Sequence, residues 1–400
     1  MQKRPPLLAG IKILDLATVV AAPFAATLCA DLGAKVTKIE LPSGNDMLRS
    51  LAPSTKEHSF YWKAINRGKQ GITLDIRKPE GKALFLKIIA QQDVLVENFR
   101  TGTLDNWGLS LKELHQINPR LIVLRLTGFG QTGPYANRPG YARIFEAMSG
   151  LTNLIGTPES GPQHPNLPMG DLIAGLFGAF SIASAIASIR GNPKASGFEI
   201  DLSATESLFR LLDPLPVEYE FLNHERTHVG NRAGYTAPSS MYRTKDHIWV
   251  TLVAASDVGF TNFSQAIGKP EWVHDPKFCN NLKRCENTEE LDVAIKKWFI
   301  EHDFHEVQTT LDQADVPYTK VYGIEDIVND PQVKAREGII RLKDSVLGSI
   351  PAPCVVPRIA DTEKTEISTG PLKGEHNQSF YEDLGVTATE MKHLISIGVI

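Results

Sequence analysis

The chain holds only four cysteines in 400 residues, Cys29, Cys279, Cys285 and Cys354, and none stands in a CxxC pair. That spacing argues against a zinc knuckle, a redox pair or a disulfide scaffold, and it predicts a reducing, cytoplasmic setting. An excess of either charge is also missing. Lys and Arg number 42 against 46 Asp and Glu, a formal net charge of -4. Such a balance gives no support to a nucleic-acid-binding surface. No GxxxxGK[ST] loop and no GxSxG elbow occur, so ATP-driven chemistry and a serine hydrolase have no visible basis. The opening Met1-Gln2-Lys3-Arg4-Pro5-Pro6 is basic but leads into no long apolar run, and does not read as a signal peptide. Long apolar runs are scarce. The exception is Leu172 to Ile189, 18 residues without a charge, of which ten are Ala, Gly or Ser. Those small residues, with Asp171 and Arg190 at the two ends, predict a helix buried in protein rather than a membrane span.

What is present is an ordinary globular composition, 42% hydrophobic and 22% charged, long enough for two packed units. The first 130 residues alternate strand and helix signals. Strands are expected at Ile11–Leu16, Lys35–Ile39, Gly71–Ile76, Val94–Val96 and Leu121–Leu126. Helices are expected at Pro23–Leu32, ended by Gly33, and from Pro79 through Ile89. This alternation predicts an α/β fold with a Rossmann-like parallel sheet. From Gly128 to Gly170 the pattern gives way to Gly, Pro and Asn, as irregular site-building segments do. The small-residue helix and a strand at Glu199–Leu202 follow. Asp213-Pro214-Leu215-Pro216 then punctuates the chain before a second, smaller α+β region with a strand at Ile248–Val253 and a helix at Thr288–Glu301.

Two motifs invite over-reading. Gly128-Phe129-Gly130-Gln131-Thr132-Gly133 matches GxGxxG after a strand. A dinucleotide site needs a helix to open at the third glycine, but Pro134, Asn137, Pro139 and Gly140 come instead. The loop still suits close backbone approach to a ligand. His224-Glu225-Arg226-Thr227-His228 matches HExxH, yet Gly230 stops any helix within a turn, and no downstream third ligand fits. No metal site is expected. Asp171 is different in kind. It directly precedes the apolar helix, where an aspartate commonly caps free N–H groups. The same position, between glycine loops and a buried helix, suits a preorganised nucleophilic carboxylate.

Taken in order, several segments resemble the class III CoA-transferases (CaiB/BaiF type), the family of formyl-CoA and carnitine CoA-transferases. They are Leu8–Leu16, Asp31–Glu40, Asn66-Arg67-Gly68-Lys69 with Leu74-Asp75, Val96-Glu97-Asn98-Phe99, and Gly128–Pro134. Asp171 falls where that family has its catalytic aspartate. The resemblance runs from about Leu8 to the C-terminus. It implies a ring-shaped monomer threaded through its twin in an interlocked homodimer. It also implies a large domain from residues 1–221 and 319–400 around a small domain at 222–318. The implied reaction moves CoA from an acyl-CoA, such as succinyl-CoA, to a small carboxylic acid. Asp171 would pass through an anhydride and an aspartyl-CoA thioester. The CoA thioester is then a substrate, and no permanently bound cofactor is expected. An ionised carboxylate needs no general base for this work.

Position by position, the resemblance assigns Val19, Val20, Ala21, Leu74, Arg77, Asn98, Phe99 and Arg100 to CoA binding. Gly128, Gly130, Gln131 and Tyr141 form the expected oxyanion and substrate loop. Leu41 and Asn106 stand where relatives often carry Arg, so Lys38, Arg100 or Arg138 are expected to meet the CoA phosphates instead. The same fold hosts α-methylacyl-CoA racemases, which use a His-Asp pair after the glycine loop. Here Tyr141 and Ala142 follow Gly140, and two-base racemisation lacks its histidine. A non-catalytic acyl-CoA-binding relative is the other alternative.

Overall fold

The computed structural model describes residues 3–44, 46–55, 58–363 and 366–400. Met1 and Gln2 of the basic opening segment lie outside the described residues. The chain divides into two units. One comprises residues 1–152, 165–224 and 337–400, and the other residues 153–164 and 225–336. The second unit therefore runs past 318 to Arg336 and takes in a short segment ahead of the long helix.

The first unit is built on six parallel strands. They are β1 (Lys12–Asp15), β2 (Lys35–Glu40), β3 (Lys69–Thr73), β4 (Val94–Glu97), β5 (Ile122–Thr127) and β6 (Glu199–Ser203). Their spatial order is β6-β5-β4-β1-β2-β3, and every pair is parallel. All but the edge strand β6 are buried almost throughout, as parallel strands covered on both faces must be. Successive residues go to opposite faces. Ile13, Val94, Val96, Ile122 and Leu124 join the core under helices α1 (Ala21–Asp31) and α4 (Met169–Arg190). Leu14, Leu95 and Val123 join the core under α2 (Pro79–Ile89) and the chain's tail. Pro79 opens α2 at the first helical position, where its missing N–H costs nothing. The tail returns to the sheet: the Tyr381 hydroxyl donates to Thr73 O at 2.6 Å, and Asp75 N–H donates to Val399 O at 2.8 Å.

The strand order reverses between β1 and β4. The connection after β1 leads to one side of the sheet, and that after β4 to the other. Sheets of this type take ligands in the crevice beyond the carboxyl ends of the strands at such a switch point. Helix α3 (Ala142–Met148) follows the glycine-rich loop, and α4 follows that, bringing both to the same end of β5.

The expectation that α4 is wholly buried needs correcting. Its small side (Gly170, Ala174, Gly175, Gly178, Ile182, Ala185) is buried, whereas Leu176 and Phe180 are 59% and 67% exposed. By length and composition α4 is apolar enough to cross a bilayer. Its small side packs along α1.

The second unit has its own core. Three antiparallel strands, β7 (Ser239–Arg243), β8 (Trp249–Val253) and β9 (Tyr318–Lys320), carry Tyr242, Val250 and Leu252. Helix α5 (Asp257–Ala266) contributes Phe260 and Phe263, and α6 (Thr288–Glu301) contributes Phe299. Residues 225–228 of the HExxH match are not helical.

Candidate active site

Beyond the ends of β1, β4 and β5 lies a cavity of about 240 Å³. Its wall brings together Val19, Val20 and Ala21 after β1, and Asn98, Phe99 and Arg100 after β4. Gly128 and Tyr141 come from the glycine-rich segment, and Asp171 from α4. Nine of the predicted site residues, from four separate stretches of chain, thus share one space. Leu74 and Arg77 do not. They line a neighbouring cavity of about 250 Å³, whose wall Thr18 and Phe99 share. Gly130 and Gln131 line neither cavity.

Asp171 is 7% exposed and sits in the first turn of α4. It does not cap the helix. Pro168 occupies the cap position, with no side-chain cap bond. The Gly170 N–H is taken instead by Glu146, whose Oε1 accepts it at 2.9 Å. Among the described residues no donor reaches the Asp171 carboxylate. Burial therefore pushes its pKa up from 3.8 to about 7, and the nearby Glu146 charge pushes the same way. This corrects the expectation of a fully ionised carboxylate at neutral pH. The group is poised between acid and nucleophile, and its lone pairs are not tied up in hydrogen bonds.

Facing it is the head of α1. This helix has no side-chain cap and no acidic residue in its first turn. Among the described residues, the N–H groups of Val20 and Ala21 have no assigned acceptor. Free N–H groups at a helix start favour negative charge. The loop that places them is held from beneath. Asn98 accepts the Thr18 N–H at 2.8 Å and donates to Thr18 O at 2.8 Å, a two-bond clamp. Phe99 packs edge-on to Trp107 with centroids 5.3 Å apart. Its N–H donates at 2.6 Å to Glu97. Burial raises the Glu97 pKa to about 7.

The glycine-rich loop works differently from expectation. The Gln131 N–H is spent on Asp201, at 2.9 and 3.1 Å from its two carboxylate oxygens, so it is not a free oxyanion donor. Gly128 and Gly140 are pressed onto Phe145. A Cβ on either would lie 2.3 or 2.5 Å from the ring. With no side chain at either position, the backbone lies directly on Phe145 at the cavity wall.

Lys38 is already paired inside the protein. Its side chain is 1% exposed and locked inside. Its ammonium donates to Ala17 O and lies 3.7 Å from Asp15 and 3.8 Å from Asp46. Lys69 completes this buried group. It donates to Asp15 at 2.8 Å, to Pro23 O at 2.7 Å and to Asn66 at 3.0 Å. Lys38 borders the neighbouring cavity, but its ammonium is already matched by two carboxylates and a carbonyl. Arg100 and Arg138 are exposed cations on the cavity wall. Arg77, half exposed, is gripped by Asp75 through two bonds of 2.8 Å. Sequence reasoning missed Glu146, Asp46 and Lys69. Neither the Asn66–Lys69 string nor Asp46 carries a sign in the sequence that Lys69 and Asp46 meet residues of the first strand and loop.

A donor-free buried carboxylate opposite an uncapped helix start, at a switch point, suits acyl capture. The sequence pattern of CoA-transferase family III matches residues 8–377. The chain belongs to that family. It is 36% identical over 395 residues to a succinyl-CoA--D-citramalate CoA-transferase of Chloroflexus aurantiacus, with 98% of each chain covered. It is 35% identical over 398 residues to the succinyl-CoA--L-malate CoA-transferase beta subunit of the same organism, again with 98% of each covered. A CAIB/BAIF family protein from Brucella suis superposes with a TM-score of 0.83 at 30% identity, over 95% of this chain and 100% of that one. Membership makes this chain an enzyme of the CoA-transferase class, acting on CoA thioesters.

Proposed function

We propose that this CoA-transferase moves CoA from an acyl-CoA, succinyl-CoA being the donor of both relatives named above, to a small dicarboxylic acid, with Asp171 as the nucleophile. The observation that carries this reading is the Asp171 carboxylate, buried, without a donor, and sharing a cavity with the head of α1.

In the first step, a carboxylate oxygen of Asp171 attacks the thioester carbonyl. The C–S bond breaks, and the electron pair leaves with CoA as thiolate. The thiolate then attacks the aspartyl carbonyl of the resulting anhydride. The donor acid departs as its carboxylate, leaving aspartyl-CoA thioester. The acceptor carboxylate attacks that thioester, forms a second anhydride and frees the thiolate again. The thiolate finally attacks the acceptor's acyl carbon, releasing the new acyl-CoA and the Asp171 carboxylate. Every activated species is an anhydride or thioester, so no ATP is required. Each tetrahedral oxyanion needs donors in a dry site, and the Val20 and Ala21 N–H groups are suited to supply them. The adjoining cavity under Leu74, Leu41 and Phe99 fits the nucleotide end of CoA, with Arg77 at its edge. Arg100 and Arg138 offer positive charge to the phosphates or to a second carboxylate of the acid.

Two-base racemisation is disfavoured, because among the described residues no histidine lines the cavity. A cytoplasmic location and a homodimer that covers the apolar side of α4 belong to the same proposal. The test is an exchange assay with succinyl-CoA against a panel of mono- and dicarboxylic acids. Formation of the acceptor's CoA ester by the native chain, and none by Asp171→Ala, is the expected result. Tight CoA binding with no exchange for any acid would favour a binding-only relative.

A further inference from the structure

We infer that Asp46 is a positioning residue for transfer, because it holds Val19 in a left-handed conformation and so aims the head of α1 at the cavity. This rests on the reaction proposed above.

Val19 has φ +67°, in a region that β-branched residues rarely enter. Three consecutive N–H groups of the loop ahead of α1, Val19's own included, are each taken by a different side chain. Ala17 donates to Asp15 Oδ1 at 2.9 Å, and Thr18 to Asn98 Oδ1 at 2.8 Å. Val19 donates to both oxygens of Asp46 at 3.1 Å. With these three turned inward, the next N–H groups, on Val20 and Ala21, are the ones left free at the cavity wall. Asp46 is itself well fixed. Its side chain is 1% exposed, its Oδ1 also accepts the Leu48 N–H at 2.9 Å, and Lys38 stands 3.8 Å away. It reaches the loop from 27 residues downstream. Although Asp46 borders the neighbouring cavity, its carboxylate is occupied by the backbone of residues 19 and 48. A glycine at position 19 would adopt the same φ without support. The need for Asp46 therefore depends on the residue at 19 being valine.

The experiment is a double-mutant cycle with Asp46→Ala, Val19→Gly and the double variant, scored by kcat and KM for the acyl-CoA. Asp46→Asn serves as the milder second variant should the alanine form fold poorly. Hydrogen exchange of the peptide spanning residues 16–22 is read in parallel. Asp46→Ala is expected to lower kcat/KM about tenfold or more. On the Val19→Gly background the same change should cost less than about threefold. Exchange at residue 19 should quicken in Asp46→Ala and, to a lesser degree, in Asp46→Asn. Equal losses on both backgrounds, or unchanged exchange, would overturn the inference. A native chain that transfers no acyl group to any acid would instead strike the reaction, while the exchange data still decide the Asp46–Val19 link.

Discussion

Asp171 is the residue on which the account turns, and its environment makes a signed prediction. Its pKa is raised from 3.8 to about 7, first by burial and then by Glu146. With the carboxylate as the proposed nucleophile, kcat/KM for the acyl-CoA should climb with pH through about 7 and then level off. Glu146→Gln keeps the oxygen that accepts the Gly170 N–H but removes the charge. The midpoint of the climb should then move to lower pH. An unmoved midpoint would show that Glu146 does not act on Asp171. Stability carries the opposite sign. A native pKa above the unfolded one means the native state holds the extra proton between about 4 and 7. The contribution is fully present below that window and lost as pH rises through it. Asp171→Asn should therefore abolish transfer, lowering kcat by about a thousandfold or more. It should also melt higher than the native chain at pH 8, with little difference at pH 4. Melting curves at the two pH values check this directly.

At the scale of elements, the site depends on how closely α4 lies on α1. A Cβ at Gly175 would stand 2.7 Å from Ala21 O and 2.9 Å from Phe24 Cδ1. Gly175→Ala should part the helices at the point where Ala21 lines the cavity. The expected cost is about 1–3 kcal/mol of stability together with lost activity. Gly191→Ala, with nothing within 4 Å, should stay within about 0.5 kcal/mol of the native chain. Chemical denaturation of the two variants makes the comparison.

Much of this element layout is legible in the sequence. The α2 helix starts at Pro79 and ends at Ile89 as its pattern predicts, and β4 and β5 fall within a residue of their apolar runs. The third strand was less legible. It spans Lys69–Thr73 rather than Gly71–Ile76, because Lys69 turns inward to Asp15 while Leu74 and Ile76 leave the sheet to wall a cavity. A lysine so placed reads as a solvated charge until its partner 54 positions away is known. The same blindness hid Asp46 and the pairing of Lys38 with it and with Asp15. The gathering of residues 19–21, 98–100, 141 and 171 was legible only through family resemblance, since no local pattern joins four distant stretches.

For the whole molecule, the open apolar surface is the outer side of α4 and the helix Pro214–Leu222. Leu176 and Phe180 are joined in exposure by Phe221 at 76% and Leu222 at 71%. Large apolar side chains left open in one chain mark a contact surface. The homodimer proposed above covers them. Sedimentation of the native chain should give a dimer, and Phe180→Glu should shift it toward monomer. A native chain that sediments as a monomer would remove the dimer from the account.

The central claim is covalent capture at Asp171, and peptide mass spectrometry after mixing with acyl-CoAs and quenching in hydroxylamine tests it most directly. An aspartyl thioester or anhydride is trapped as a hydroxamate. The account predicts a hydroxamate at Asp171 in the native chain, most abundant with the productive donor. It predicts none in Asp171→Asn. An unmodified Asp171 in a preparation that is visibly exchanging CoA between acids would contradict it.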